Sequence, residues 1–215
     1  MPENTELTVP QESTDIIPQA PQTHNLLQNT KALAMINRLS ERYANSSMVP
    51  DTYRGKPDNC FVALELASRM DVSPVLVMQN LYIVQGKPSW AGQACKALID
   101  GSGKFADSEY VMVGNPADDT WGCYLQAVNV KTGKLVKGTT VTMKLAKDEG
   151  WLNKNGSKWK TMPEQMMKYR AAAFFARTEC PEVLMGFQTA DEVQDVNGPE
   201  KATQEKITIS LEGNA

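Results

Sequence analysis

The chain has almost none of the residues on which several large classes of enzyme depend. Its 215 residues include one histidine, His24, and four cysteines, Cys60, Cys95, Cys123 and Cys180, with no CxxC spacing. A Ser-His-Asp or Cys-His catalytic site, or a metal site with several histidines, would rest on His24 alone, and neither a zinc clip nor a redox motif is indicated. The four cysteines are expected to be reduced, buried thiols.

Long apolar runs and nucleotide-binding motifs are also missing. No apolar run approaches the ~18 residues that a membrane span needs, and residues 1–4 lack the apolar segment of a secretory signal. We therefore expect a cytoplasmic protein with no membrane partner. Gly86-Lys87 and Gly133-Lys134 lack the rest of the phosphate-binding pattern GxxxxGK[ST], which argues against ATP as a cofactor.

Hydrolytic motifs are equally scarce. HExxH, GxSxG and any acid followed two positions later by lysine are absent. Two acidic pairs, Asp118-Asp119 and Asp148-Glu149, are the remaining candidates for a metal-dependent nuclease, but both lie in turn-like sequence where solvated acids are ordinary. The sequence favours binding without catalysis and without a cofactor, with Mg²⁺ at most a modulator of that binding.

Charge is distributed very unevenly along the chain. The net charge is -4 over residues 1–29, +6 over residues 30–180 and -5 over residues 181–215, and it reaches +8 over residues 131–177. Such asymmetry indicates a polyanionic partner for the basic part, with acidic tails beside it. A solvated lysine surface is the alternative explanation.

The hydrophobic pattern predicts an α+β fold, with a small antiparallel sheet of hairpins packed with helices. Leu33, Ile36, Leu39 and Tyr43 recur at helical spacing and predict a helix over residues 30–44. Helices are also expected over residues 59–70 and 93–100, with a further one beginning at Ser73-Pro74. Thr161-Met162-Pro163-Glu164 predicts another helix start, by a capping box or by proline in the first turn, and this helix is expected to run to about Thr178. Hairpins are expected where residues 81–84 meet 89–91, and where 121–128 meet 135–143, with another strand over 109–113. Residues 29–195 form the predicted core. The flanks, 1–28 and 196–215, are predicted to be disordered acidic tails.

Residues 159–177 carry the strongest functional signal, and the loop before them adds to it. Arg170 and Arg177 are seven residues apart and share one helix face, whereas Lys168 lies about 200° away from Arg170 around the helix. A line of guanidinium groups suits a line of phosphates, which arginine binds through two donors at once. The preceding loop mixes cations with rings, the pattern expected for single-stranded nucleic acid: Lys154, Lys158 and Lys160, with Trp151 and Trp159. A core role for both tryptophans is the alternative.

The same stretch resembles a known family. The pattern W-x3-P-x2-MMKYRA-x5-R over residues 159–177, followed by GFQTADE over residues 186–192, is similar to the C-terminal core of the phage single-strand annealing recombinases, the RecT and lambda Bet (Red beta) proteins. Looser similarity extends over residues 30–195. The resemblance implies ATP-independent binding and annealing of complementary DNA strands in homologous recombination, by rings or helical filaments of a homo-oligomer.

The resemblance also implies partners and site residues. Single-stranded DNA and the annealed duplex intermediate are the expected ligands, a 5′→3′ exonuclease and a host single-stranded-DNA-binding protein are candidate partners, and the host cytoplasm is the expected location. Lys168, Arg170 and Arg177 match the family's basic DNA-contacting positions. Charge and position near the hairpins add five weaker candidates: Lys87, Trp90, Lys96, Lys144 and Lys147. The alternative function is a non-catalytic nucleic-acid or protein interaction module of a phage.

Overall fold

The computed structural model describes residues 29–84 and 86–197. Within this part the chain is a mixed α+β protein in which eight α-helices surround two small sheets, which confirms the predicted fold class. The predicted tail over residues 1–28 lies outside the described residues, as do residues 198–215. The last helix extends to Asn197, two residues into the segment predicted as tail.

Three helices open the fold at nearly the predicted positions: α1 (Thr30–Ala44), α2 (Pro57–Met70) and α3 (Pro74–Asn80). The side-chain oxygen of Asn29 accepts hydrogen bonds from the N–H groups of Lys31 and Ala32, at 3.1 and 3.2 Å, and so caps α1. Proline begins α2 and α3 because its fixed φ suits the first helical turn. The buried face of α2 supplies one side of the core through Cys60, Ala63, Leu64, Leu66 and Ala67.

The first sheet contains the predicted hairpin and one strand from far along the chain. Strands β1 (Leu81–Val84) and β2 (Lys87–Trp90) pair antiparallel, and helix α4 (Gly92–Gly101) follows. The third strand lies at Gln188–Thr189 and pairs parallel to β2, with Thr189 opposite Trp90. This long-range pairing brings the end of the core back to the first hairpin.

In the second sheet, two strands differ from the predicted ones in their bounds. Strand β3 runs over Phe105–Val113 and begins four residues before the predicted Glu109. Strand β4 (Gly122–Asn129) pairs with β3, but the predicted return strand is split into β5 (Leu135–Lys137) and β6 (Val141–Thr142), both paired with β4. The break lies at Gly138, where an added Cβ would lie 3.0 Å from the Phe175 ring. Met143, predicted as strand, begins a helix instead.

The long helix of the predicted site packs on the second sheet. Helix α5 (Met143–Asp148), a 3₁₀ turn (Trp151–Asn153) and helix α6 (Lys158–Thr161) lead into α7 (Pro163–Glu179). Proline in the first turn begins α7, and no side chain caps it, so of the two predicted start signals the proline operates. Small residues on the inner face of α7 allow a close approach to β4: Ala171, Ala172, Ala173 and Ala176 are all buried.

The elements that follow α7 return the chain to the first sheet. A 3₁₀ helix (Pro181–Leu184) follows α7, then strand β7 (Gln188–Thr189) and helix α8 (Ala190–Asn197). One core cluster lies between the first helices, α4 and α7, and a second lies between β4, the 3₁₀ turn at Trp151 and the start of α7. Among the described residues, no helix combines the length and apolar character required to span a membrane.

Candidate nucleic-acid interface

Arg170 and Arg177 lie on the same face of α7, as the helical spacing predicted, and both point at one carboxylate. Arg177 binds Glu192 through two bonds, Nη1 to Oε1 at 2.9 Å and Nη2 to Oε2 at 2.5 Å. The Nη1 atom of Arg170 lies 3.8 Å from Oε1 of the same residue. These three residues are called the arginine–glutamate cluster below. It carries a net charge of one positive unit.

Arg170 differs from the prediction in one respect, because its guanidinium group is not at the surface. Its side chain is 5% exposed, and its Cζ atom lies 4.2 Å from the centre of the Trp151 ring. Arginine stacks well on aromatic faces because the guanidinium group is planar and weakly hydrated. Arg170 therefore lies on the buried side of the cluster, whereas the side chain of Arg177 is 42% exposed.

Glu192 is the residue of the cluster that sequence reasoning did not single out. Its side chain is 6% exposed, and its Oε2 accepts a hydrogen bond of 2.9 Å from the Thr189 N–H. The Thr189 hydroxyl accepts in turn from the Glu192 N–H at 3.4 Å, which completes a capping box at the start of α8. The pattern Thr189-x-x-Glu192 was the sequence signal for this helix start.

Opposing effects set the pKa of Glu192. Burial alone would raise the pKa, but the hydrogen bonds from Arg177 and from the Thr189 N–H, with the charges of Arg177 and Arg170, hold it below its ordinary value. The carboxylate is therefore ionised near neutral pH, and the cluster is a true ion-pair network.

The tryptophans take the core role rather than the stacking role. Trp159 is 3% exposed and Trp151 5% exposed, and their ring centres lie 5.0 Å apart. Trp90 is fully buried, and its Nε1 donates to the Leu184 carbonyl at 3.1 Å. A base stacks on an accessible ring face, and the burial of Trp90 and Trp159 gives no support to the prediction that they contact bases.

The loop that precedes α7 is fastened to the arginine face of that helix. We call residues 151–161 the lysine loop. The ring of Trp151, in this loop, packs against the guanidinium group of Arg170. Within the loop, Ser157 Oγ donates to the Trp151 carbonyl at 2.6 Å. Lys158 and Lys160 are exposed and Lys154 is half-buried. The structure therefore brings the lysine loop and the arginine–glutamate cluster together, as the sequence pattern suggested.

Lys168 lies on the other side of α7, as the helical wheel predicted. Its Nζ atom is 2.5 Å from Glu164 Oε1, one turn earlier on the same helix. It also lies close enough to Cys123 for its charge to act on the pKa of that thiol. Lys168 thus faces the second sheet and is separate from the arginine–glutamate cluster.

The four lysines that were weaker DNA-binding candidates lie outside the arginine–glutamate cluster. Lys96 contacts Asp100 at 2.7 Å and Ser108 Oγ at 2.6 Å. Lys144 pairs with Asp148 at 2.7 Å, and Lys147 pairs with Asp119. None of these three carboxylates belongs to the arginine–glutamate cluster. Lys87 is exposed at the start of β2.

Three of the four acids considered for a nuclease have structural contacts. Asp118 Oδ1 accepts from the Thr120 N–H at 2.8 Å and from the Thr120 hydroxyl at 2.5 Å, which closes a turn and lowers the Asp118 pKa. Asp119 and Asp148 pair with the lysines named above. Within residues 29–84 and 86–197, no three His, Cys, Asp or Glu residues are grouped closely enough to hold a metal ion.

Comparisons with known proteins find no matching family model, no matching curated protein and no matching solved structure. The resemblance to the annealing recombinases therefore continues to depend on the residues quoted from the sequence.

Proposed function

We propose that this protein binds single-stranded DNA and anneals complementary strands without nucleotide hydrolysis. The observation that carries the proposal is the seating of the lysine loop on the arginine face of α7, through the contact of Trp151 with Arg170 at 4.2 Å. This contact packs the segment that carries the exposed Lys158 and Lys160 against the helix that carries Arg177, whose side chain is 42% exposed.

Positive charge on this surface suits the phosphate backbone. Arginine has five N–H donors, and Glu192 takes two of those of Arg177, so three remain. Contacts to phosphates carry no sequence information, so binding should be largely independent of base sequence. Cations that replace counterions on a single strand make affinity fall with salt, with a slope of about 0.7 per contact.

The burial of Trp90 and Trp159 bears on the source of DNA affinity. Because Trp90 and Trp159 are core residues, charge rather than stacking on these rings supplies the affinity. Bases left unstacked on the protein stay available for pairing with a second strand. The protein lowers the repulsion between the two backbones, and base pairing and stacking supply the free energy of annealing.

The resemblance to the annealing recombinases supports the remaining parts of the proposal. A homo-oligomer on DNA would hold many contacts along one strand. A 5′→3′ exonuclease would supply that strand, a host single-stranded-DNA-binding protein would compete for it, and the annealed duplex intermediate would be the immediate product. The host cytoplasm, in a phage infection, is the setting that fits these partners.

A strand-annealing assay tests the proposal directly. Two complementary oligonucleotides, one with a fluorophore and one with a quencher, are mixed at low concentration with protein and Mg²⁺ but no nucleotide. We expect faster quenching than in buffer, an effect that weakens as salt rises, and intact oligonucleotides afterwards. No acceleration at any salt concentration would refute annealing and favour an interaction module, and shortened oligonucleotides would favour a nuclease.

A further inference from the structure

The first turn of α8 places a carboxylate where the proposed function requires a phosphate. Glu192 binds both Nη atoms of Arg177 and lies 3.8 Å from Arg170. A carboxylate bound in this two-point manner occupies the donors that arginine uses for a phosphate. The side chain that offsets part of the positive charge of the candidate site therefore comes from a later helix of the same chain.

A second carboxylate from the same turn lies on a neighbouring positive feature. Helix α4 has 10 residues and begins at Gly92, and its N-cap residue makes no side-chain cap, so its first turn carries the partial positive charge of a helix N-terminus. A Cβ added to Gly92 would lie 3.1 Å from Asp191 Oδ2. Asp191 and Glu192 thus present two successive negative charges to α4 and α7.

We propose that α8 is an intramolecular competitor of DNA: Asp191 and Glu192 occupy the anion-binding site formed by Arg177, the buried Arg170 and the first turn of α4, and a phosphate backbone displaces them. This inference rests on the proposed function, whose site it regulates. The exchange leaves the arginines paired, since phosphate oxygens replace carboxylate oxygens on the same donors.

The attachment of α8 is compatible with such an exchange. Over residues 190–193, the part of α8 whose side chains the structure describes, Val193 is the one buried apolar side chain. Helix α8 has eight residues and follows a strand of two residues. A linked competitor acts at high effective concentration, so a single phosphate displaces it poorly and a strand with several contacts displaces it well. The device therefore favours long strands over mononucleotides.

One test removes the competing charge. Glu192→Gln should bind a poly(dT) oligonucleotide several-fold more tightly than the wild type, with a similar salt slope, because phosphates contact the same arginines in both complexes. Glu164→Gln is the matched control, because Glu164 pairs with Lys168 on the opposite side of α7. It should change affinity less than Glu192→Gln.

A second test needs no variant and so does not depend on the folding of Glu192→Gln. Hydrogen–deuterium exchange is measured on the full wild-type chain with and without poly(dT). We expect the amides of residues 190–197 to exchange faster when DNA is bound, and those of α4 and α7 to exchange equally fast or more slowly.

The outcomes separate this inference from the proposed function. If Arg177→Ala weakens DNA binding but α8 is equally or better protected with DNA bound, the proposed function stands and the competitor is refuted. Unchanged or weaker binding by a folded Glu192→Gln variant would refute it in the same way. If the wild type does not bind poly(dT) at all, both proposals fail.

Discussion

Arg177 and Glu192 form a two-point ion pair that joins α7 to α8, with the carboxylate almost fully buried and the guanidinium group partly exposed. Arg170 closes the cluster from the buried side. One carboxylate therefore serves two purposes, since it compensates a buried cation and it orients an exposed one. We therefore expect substitution of the buried Arg170 to affect mainly stability, and substitution of the exposed Arg177 to affect mainly DNA binding.

Replacement of Arg177 should mainly affect binding. Arg177→Ala removes the exposed cation of the cluster, so affinity for single-stranded DNA should fall and the salt slope should decrease by about 0.7. Fluorescence anisotropy over a salt series measures both. Arg69→Ala is the matched control, because Arg69 forms an exposed ion pair with Glu65 on α2 at 2.5 Å. Wild-type affinity for folded Arg177→Ala would show that DNA does not use this face.

Replacement of Arg170 should mainly affect stability. Its side chain is 5% exposed and lies over Trp151, so Arg170→Ala removes a buried cation and opens a gap beside the ring. Loss of one partner of a buried ion pair costs on the order of 3 kcal/mol. Urea unfolding followed by circular dichroism measures the change. Arg69→Ala should cost less than about 1 kcal/mol, and equal losses for the two variants would contradict this assignment.

Acid should weaken the fold through Glu192. The pKa of this carboxyl is held below its ordinary value in the folded protein, so its ionised form stabilises the fold above the unfolded pKa, about 4.3. That contribution is lost as pH falls through the lower, folded pKa. The urea midpoint of the wild type should therefore drop between about pH 5 and pH 3. Glu192→Gln should be less stable at pH 7 and should lose less over this interval, and parallel curves would contradict the prediction.

The four thiols should be unreactive in the folded protein. All four cysteines are buried and free of disulfides, and burial raises the pKa of Cys95 to about 12 and those of Cys123 and Cys180 to about 11. Since the thiolate is the reactive form, a thiol-specific disulfide reagent at pH 8 should modify the native chain slowly. It should modify four groups after unfolding. Rapid modification of one thiol in the native state would show that this site opens.

Lysines that form ion pairs with carboxylates should contribute less to DNA affinity than the exposed lysines of the lysine loop. Lys158 and Lys160 are exposed on the lysine loop, whereas Lys144 and Lys147 pair with Asp148 and Asp119. The double variant Lys158→Ala/Lys160→Ala should lower affinity and salt slope more than Lys144→Ala/Lys147→Ala, because paired cations release fewer counterions. The annealing assay and an anisotropy series give the comparison, and the reverse order would move the DNA path to the α5 side.

Local patterns in the sequence predicted most elements because local interactions decide them. The spacing of Leu33, Ile36 and Leu39 predicted α1, and proline at the first turn predicted the starts of α3 and α7. The return strand after the second hairpin was predicted as continuous, but it is interrupted over residues 138–140, where Phe175 of α7 lies against Gly138. A contact between residues so far apart in the chain leaves no periodic signal.

The sequence by itself determined that Arg170 and Arg177 share one helix face, that Lys168 lies opposite, and that a lysine-rich loop precedes that helix. These relations follow from the helical repeat and from charge order. Only the tertiary structure decided that Arg170, Trp151 and Trp159 are buried and that Glu192 contacts both arginines. Burial and pairing depend on which distant segments meet: the parallel pairing of Thr189 with Trp90 carries α8 to α7, and no local pattern encodes that meeting.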